Sequence, residues 1–135
     1  MFNTILILLL ANSAPNAVPA KPLAIQIIRT AAAYGINAET LTRILLTESK
    51  GVATAENKRT GDYGIMQINH RTAASYKLSQ ECLKNWKCNL AAGAAILKDM
   101  QKSKHYRTCA YNVGTSHIGT RMKSCLTYET KLAIL

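Results

Sequence analysis

Apolar positions recur at helical spacing along most of this chain. Leu23, Ile27, Ile28 and Ala31 share one helix face, and Gly35 follows Tyr34 where a C-terminal cap belongs. Asn37 is placed to cap a second helix, in which Leu41, Ile44, Leu45 and Glu48 follow the i, i+3, i+4, i+7 rule. From Lys50 to Thr60 the chain is polar, and Thr60-Gly61-Asp62 is a turn signal. Tyr63 to Asn69 is a short apolar run interrupted by Gly64 and Gln67, which predicts a strand edge or an irregular loop lining a cleft. Helical patterning resumes at Asn89 and runs through Leu90, Ala94, Leu97 and Gln101, with Gly93 and alanines that suit close helix packing. A last set, Tyr106, Ile118, Met122 and Cys125, is again helically spaced and predicts core-facing positions. The pattern predicts a mainly α fold with a short irregular or β segment lining a cleft.

The first twenty residues carry no charged side chain and include the apolar run Ile5-Leu6-Ile7-Leu8-Leu9-Leu10-Ala11. That run is shorter than the roughly 20 residues a membrane span needs. Followed by Val18-Pro19-Ala20, it reads as a secretory signal cut after Ala20, although no Lys or Arg follows Met1. The alternative is an uncleaved apolar helix. Residues 11–22, with three prolines, are expected to be extended. The organisation predicted is a signal over 1–20 and one domain over 21–135, a length that suits a single core.

Cys82, Cys88, Cys109 and Cys125 all follow the signal, and an even number in a short exported chain favours disulfides. Four cysteines allow three pairings, and sequence does not choose among them. Pairing by proximity would pin the loop before one helix and clamp the segment around Tyr111. Their gaps do not match zinc-ligand spacing, so no metal and no cofactor are expected.

The chain is 48% hydrophobic but only 6% aromatic, so burial leans on Leu, Ile and Ala. Its 17 Lys and Arg against 7 Asp and Glu give a net charge of +10, which favours a polyanionic partner. Nucleic acid, anionic lipid and the carboxylate-bearing cell wall all qualify. Export favours the envelope polymers, and no nucleic-acid partner is expected.

Glu48 shares its helix stripe with buried leucines and lies near the helix C-terminus, where the backbone dipole opposes negative charge. Both effects raise a carboxyl pKa, so Glu48 can hold a proton near neutral pH and deliver it to a glycosidic oxygen. The structural alternative is a glutamate that reaches out into solvent from the helix end. Gln67 and Asn69 offer amides to sugar hydroxyl or acetamido groups. His70, His105 and His117 share no spacing with a nucleophile and are assigned to surface or loop positions.

Glu48-Ser49, Asp62-Tyr63-Gly64-Ile65-Met66-Gln67-Ile68-Asn69 and Ala110-Tyr111-Asn112-Val113-Gly114, in that order, resemble the catalytic domain of soluble lytic transglycosylases. The likeness is greatest to the small exported members that accompany conjugation, pilus and specialised secretion systems, and it covers about Leu23 to Met122. It implies a lysozyme-like helical fold in which Glu48 is the sole acid and base. Glu48 would cleave the N-acetylmuramic acid to N-acetylglucosamine bond of peptidoglycan and leave a 1,6-anhydro ring. Ser49 would help position the site, Met66 and Gln67 would line the sugar groove, Tyr111 would orient Glu48 through its hydroxyl, and Asn112 would shape the adjacent turn. The partners implied are glycan strands and components of a transfer or secretion machine, with the chain acting as a monomer.

Two departures from the family pattern are visible. Lys50-Gly51-Val52-Ala53 stands where the family often has an aromatic residue and then Asn or Asp and Pro. The Asp62 segment is also similar to that of animal-type lysozymes, which use an aspartate there. Asp62 is therefore either a second carboxylate for hydrolysis or a residue that closes a turn. A basic helical module that binds peptidoglycan or nucleic acid without catalysis is the alternative from another class.

Overall fold

A computed structural model of the chain describes residues 1–103, 109–113 and 122–135. Helices α1 (Phe2–Asn12), α2 (Ala20–Tyr34) and α3 (Ala38–Ser49) come first. The hairpin of β1 (Glu56–Asn57) and β2 (Asp62–Tyr63) follows, with Glu56 opposite Tyr63 and Asn57 opposite Asp62. Helices α4 (His70–Ser75), α5 (Gln80–Lys84), α6 (Trp86–Gln101), α7 (Ala110–Val113) and α8 (Met122–Ala133) complete the described order. The fold is mainly helical with one small antiparallel sheet, consistent with a lysozyme-like helical domain.

The capping residues set the ends of α2 and α3 as predicted. Gly35 adopts the left-handed conformation at φ 64°, and its N–H reaches the carbonyls of Ala31 and Ala32. The Asn37 side chain accepts the Thr40 N–H at 2.9 Å. Leu23, Ile27, Leu41, Ile44 and Leu45 are fully buried, so the two apolar stripes meet in one core.

Residues 11–22 are not extended throughout. Helix α1 continues to Asn12 and α2 begins at Ala20, leaving only 13–19 between them. Pro22 is compatible with this because it lies in the first turn of α2, where a backbone N–H would lack a helical partner anyway. The connection runs beside the end of α3, with the Ala14 N–H on the Lys50 carbonyl at 3.0 Å and the Val18 N–H on that of Gly51 at 2.9 Å. Helix α1 packs on α2 and α3 through Ile5, Leu8 and Leu9, while Ile7 and Leu10 face outward. Among the described residues, no helix is long and apolar enough to cross a membrane.

Helix α6 lies against the loop after β2 so closely that a Cβ on Gly93 would stand 2.6 Å from the Met66 side chain. The disulfides follow the proximity pairing. Cys82–Cys88 ties α5 to the first turn of α6, and Cys109–Cys125 ties the start of α7 to α8.

On α8, Cys125, Tyr128 and Leu132 are buried, but Met122 is exposed, which corrects its assignment to the core face. The buried stripe is i, i+3, i+7 from Cys125, and Met122 precedes it in the helix's first turn. Tyr106 and Ile118 lie outside the described residues. The C-terminal half of α8 thus packs on the core and is fastened to α3 by Arg43. Arg43 Nη1 donates to the carbonyls of Leu132 at 3.0 Å and Leu135 at 2.9 Å, while Nη2 pairs with Glu39 at 3.0 Å.

Those carbonyls stand at a helix C-terminus, where intrahelical donors run out. Arg43→Met is therefore expected to cost about 1 to 2 kcal/mol, seen as a lower urea midpoint. An unchanged midpoint would mean that the clamp contributes nothing to folding.

Candidate active site

Glu48 occupies the last turn of α3, and its carboxyl is largely buried at the wall of a cleft of about 760 Å³. Tyr128, reaching across from α8, donates its hydroxyl hydrogen to Glu48 Oε2 at 2.7 Å. Burial is the dominant influence on the carboxyl and raises its pKa from 4.5 to about 7; the Tyr128 hydrogen bond opposes this, the Asp62 charge adds to it, and the Lys131 charge opposes it. A carboxylic acid with this balance is substantially protonated at neutral pH.

The opposite wall comes from the loop that follows β2. Tyr63 and Ile68 close it through paired backbone hydrogen bonds at 3.1 and 3.0 Å. Inside it, Gly64 at φ 87° and Gln67 at φ 51° both take left-handed conformations. Gln67 is held there by its own side chain, whose Nε2 donates to the Ala55 carbonyl at 2.9 Å and the Gly64 carbonyl at 3.0 Å. Ser49, next to Glu48, is buried and donates to the Ile65 carbonyl at 2.7 Å while accepting the Gly51 N–H at 3.1 Å. The Glu-Ser pair and the Asp62–Asn69 segment are thereby joined directly.

Asn89 of α6, which the sequence patterns marked only as the start of a helical stretch, holds this loop. Its side chain is fully buried; Oδ1 accepts the Met66 N–H at 2.9 Å, and Nδ2 donates to the carbonyls of Tyr63 at 3.1 Å and Leu83 at 3.0 Å. One available signal was an amide on the same helix stripe as Gly93, Ile96 and Leu97.

Two of the expected roles change. The Met66 side chain does not line the groove: it is fully buried, and only its carbonyl meets Tyr111. Tyr111 does line the cleft, but its hydroxyl donates to that carbonyl at 2.8 Å, so Tyr128 and not Tyr111 holds the Glu48 carboxylate. Burial, with the charges of Glu48 and Asp62, raises the Tyr111 pKa well above its usual value, and the phenol stays a donor. No sequence motif marks Tyr128, although it falls on the Cys125–Leu132 stripe.

Asp62 follows the turn, in β2, and lines the same cleft as Glu48; its Oδ1 accepts from Asn69 Nδ2 at 3.1 Å. Asn69 also donates to the Thr60 carbonyl and caps α4 by accepting the Arg71 N–H. Asn112 is exposed at the rim, and His70 is exposed beside Gly61. Gly114, His105 and His117 lie outside the described residues.

The transglycosylase SLT domain family matches residues 25–134, a span that holds Glu48, the loop, Tyr111 and Tyr128. The chain belongs to this family. Its members are lytic transglycosylases, enzymes that cleave glycosidic bonds in peptidoglycan. No curated protein sequence matches the chain significantly. In this SLT domain the three motifs that carried the resemblance converge on one cleft.

Proposed function

We propose that this SLT domain cleaves the bond between N-acetylmuramic acid and N-acetylglucosamine with Glu48 as its single acid and base. The observation that carries this reading is a buried cleft carboxyl, fixed by Tyr128 and held protonated near neutrality. Glu48 gives its proton to the bridging oxygen, and the bond from that oxygen to the muramyl C1 breaks. The resulting carboxylate takes the proton of the muramyl C6 hydroxyl while O6 bonds to C1. The product is a 1,6-anhydro ring, Glu48 is again protonated, and no water is consumed. Asp62, on the same cleft, supplies negative charge toward the positive charge that develops at C1.

The amide nitrogens of Gln67 and Asn69 are occupied in holding the loop, so sugar contacts fall to Gln67 Oε1 and the Asn112 amide. Export through residues 1–20 to the periplasm suits both the substrate and the two disulfides. There the enzyme would open the wall locally, as a monomer, for an envelope-spanning transfer or secretion apparatus.

A hydrolytic reading keeps one supporting observation, the Asp62 charge acting on Glu48 within the same cleft. Digestion of purified peptidoglycan separates the two. Anhydro ends, lighter than reducing ends by one water, are expected from the wild type and, at reduced rate, from Asp62→Asn. Reducing ends that vanish in Asp62→Asn would establish hydrolysis instead.

Tyr128→Phe is expected to lower turnover about 10- to 100-fold, because an acid displaced by roughly 1 Å loses its line to the bridge oxygen. The lost hydrogen bond favoured the charged carboxylate, so the Glu48 pKa moves up and the alkaline limb of the rate profile shifts to higher pH. A limb that stays in place or moves down would contradict the assignment.

A further inference from the structure

A second cavity, of about 300 Å³, runs along α8 and is lined by Asn112, Lys123, Ser124, Thr127, Tyr128 and Lys131. Positions 123, 127 and 131, with 124 and 128 beside them, fall on one face of α8 at helical spacing. Asn112 lines both this cavity and the cleft, and Tyr128, at the cavity wall, donates to Glu48. The two spaces are neighbours across the Tyr128 hydroxyl.

Their chemistry differs. The cleft carries Glu48 and Asp62 among its walls, whereas the described lining of the cavity holds two ammonium groups, one amide, the Ser124 hydroxyl and no carboxylate; the Thr127 and Tyr128 hydroxyls there donate to the Lys123 carbonyl and to Glu48. Among the described residues, neither Lys123 nor Lys131 takes part in an ion pair. The Lys131 charge also acts on Glu48, which places that ammonium on the acid's side of α8. Such a lining suits an anionic group bearing several acceptor oxygens.

Peptidoglycan offers such a group at this place. Its stem peptides carry carboxylates and hang from the lactyl ether of the muramyl sugar, the sugar whose C1 must lie at Glu48 on the reading above. The peptide therefore leaves the glycan beside the acid. We propose that the α8 cavity binds the stem-peptide carboxylates through Lys123 and Lys131, so that peptide-bearing glycan is preferred over bare glycan. This rests on the proposed function for the position of the muramyl sugar.

Calorimetric titration of the Glu48→Gln chain with soluble, uncross-linked glycan strands that keep their peptides, and with the same strands stripped of them by an amidase, tests binding without catalysis. Exposed charge pairs are weak, so the expected preference for the peptide-bearing polymer is roughly three- to tenfold. It should fall to near parity when Lys123→Glu is added, survive Lys123→Arg, and shrink as salt rises. Lys84→Glu, the same change of charge at an exposed site on α5 outside both cavities, should leave it intact. Equal loss from Lys84→Glu and Lys123→Glu would reduce the effect to net charge and overturn the site. Absence of any preference, or tighter binding to duplex nucleic acid than to peptide-bearing glycan, would overturn it as well. Wild-type cleavage that is absent on both polymers while the binding preference persists would instead count against the proposed function alone.

Discussion

Glu48→Gln is expected to reduce glycan cleavage by about a thousandfold or more while making the folded chain more stable above neutral pH. The first effect follows because one group serves both proton transfers, and general acid–base catalysis by a positioned carboxyl contributes about 10² to 10⁴ for each transfer it assists. Glutamine keeps the shape and can receive the Tyr128 hydrogen bond, but it has no proton to give.

The second effect follows from linkage. The folded pKa is raised from 4.5 to about 7, so between those values the folded chain binds a proton that the unfolded chain has released. Stability from this group is fully present below 4.5 and is lost as pH rises through about 7. The full shift corresponds to about 3 kcal/mol, and partial access of the carboxyl to water brings the expected gain nearer 1.5 to 3 kcal/mol. Wild type and Glu48→Gln should therefore melt together near pH 4 and diverge by pH 8. Parallel melting curves at both pH values would show that Glu48 is an ordinary solvated carboxylate.

The largest loss of stability is expected at Asn89. Replacing it with Leu keeps much of the volume but leaves the Met66 N–H and the Leu83 carbonyl without their Asn89 partner, while the Tyr63 carbonyl keeps only its bond from the Ile68 N–H. Each buried orphan costs about 1 to 3 kcal/mol, so a destabilisation of about 3 to 5 kcal/mol is expected, with loss of cleavage because the loop is no longer held. Gly64→Ala should act similarly. A Cβ there would lie 2.1 Å from Asn89 Nδ2, and φ is 87°, a conformation unfavourable to alanine. Urea midpoints for the two variants check this; a change below about 1 kcal/mol in both would show that the loop holds itself.

The parts of the fold visible in the sequence are those governed by local rules. The stripe from Leu23 to Ala31, the Gly35 cap and the Asn37 cap depend on neighbours within a few residues, and the structure reproduces each. The glycine and amide composition of Tyr63 to Asn69 signals a strand edge or an irregular cleft loop, and a loop closed by the Tyr63–Ile68 bridge is what forms. Residues 11–22 were harder to read because proline suppresses a helix interior yet is tolerated in a first turn, and spacing alone does not say which applies to Pro22.

The site was legible in its residues but not in their pairings. Tyr111 and Tyr128 lie 17 positions apart in the chain, and which phenol reaches Glu48 depends on how α7 and α8 pack, a long-range property. The family resemblance implied a groove-lining Met66, but the left-handed turn at Gln67 and the absence of a side chain at Gly93 send it into the core. Asn89 carries three hydrogen bonds that only the folded loop reveals. Arg43 likewise meets α8 only after the chain has closed on itself.

The central claim is that Glu48 works without a water nucleophile, using the sugar's own C6 hydroxyl. Digestion of purified peptidoglycan by the wild-type chain in oxygen-18 water, followed by mass spectrometry of the soluble products, tests this directly. The account predicts anhydro-ended products with no label at the cleaved end; reducing ends carrying one oxygen-18 would contradict it.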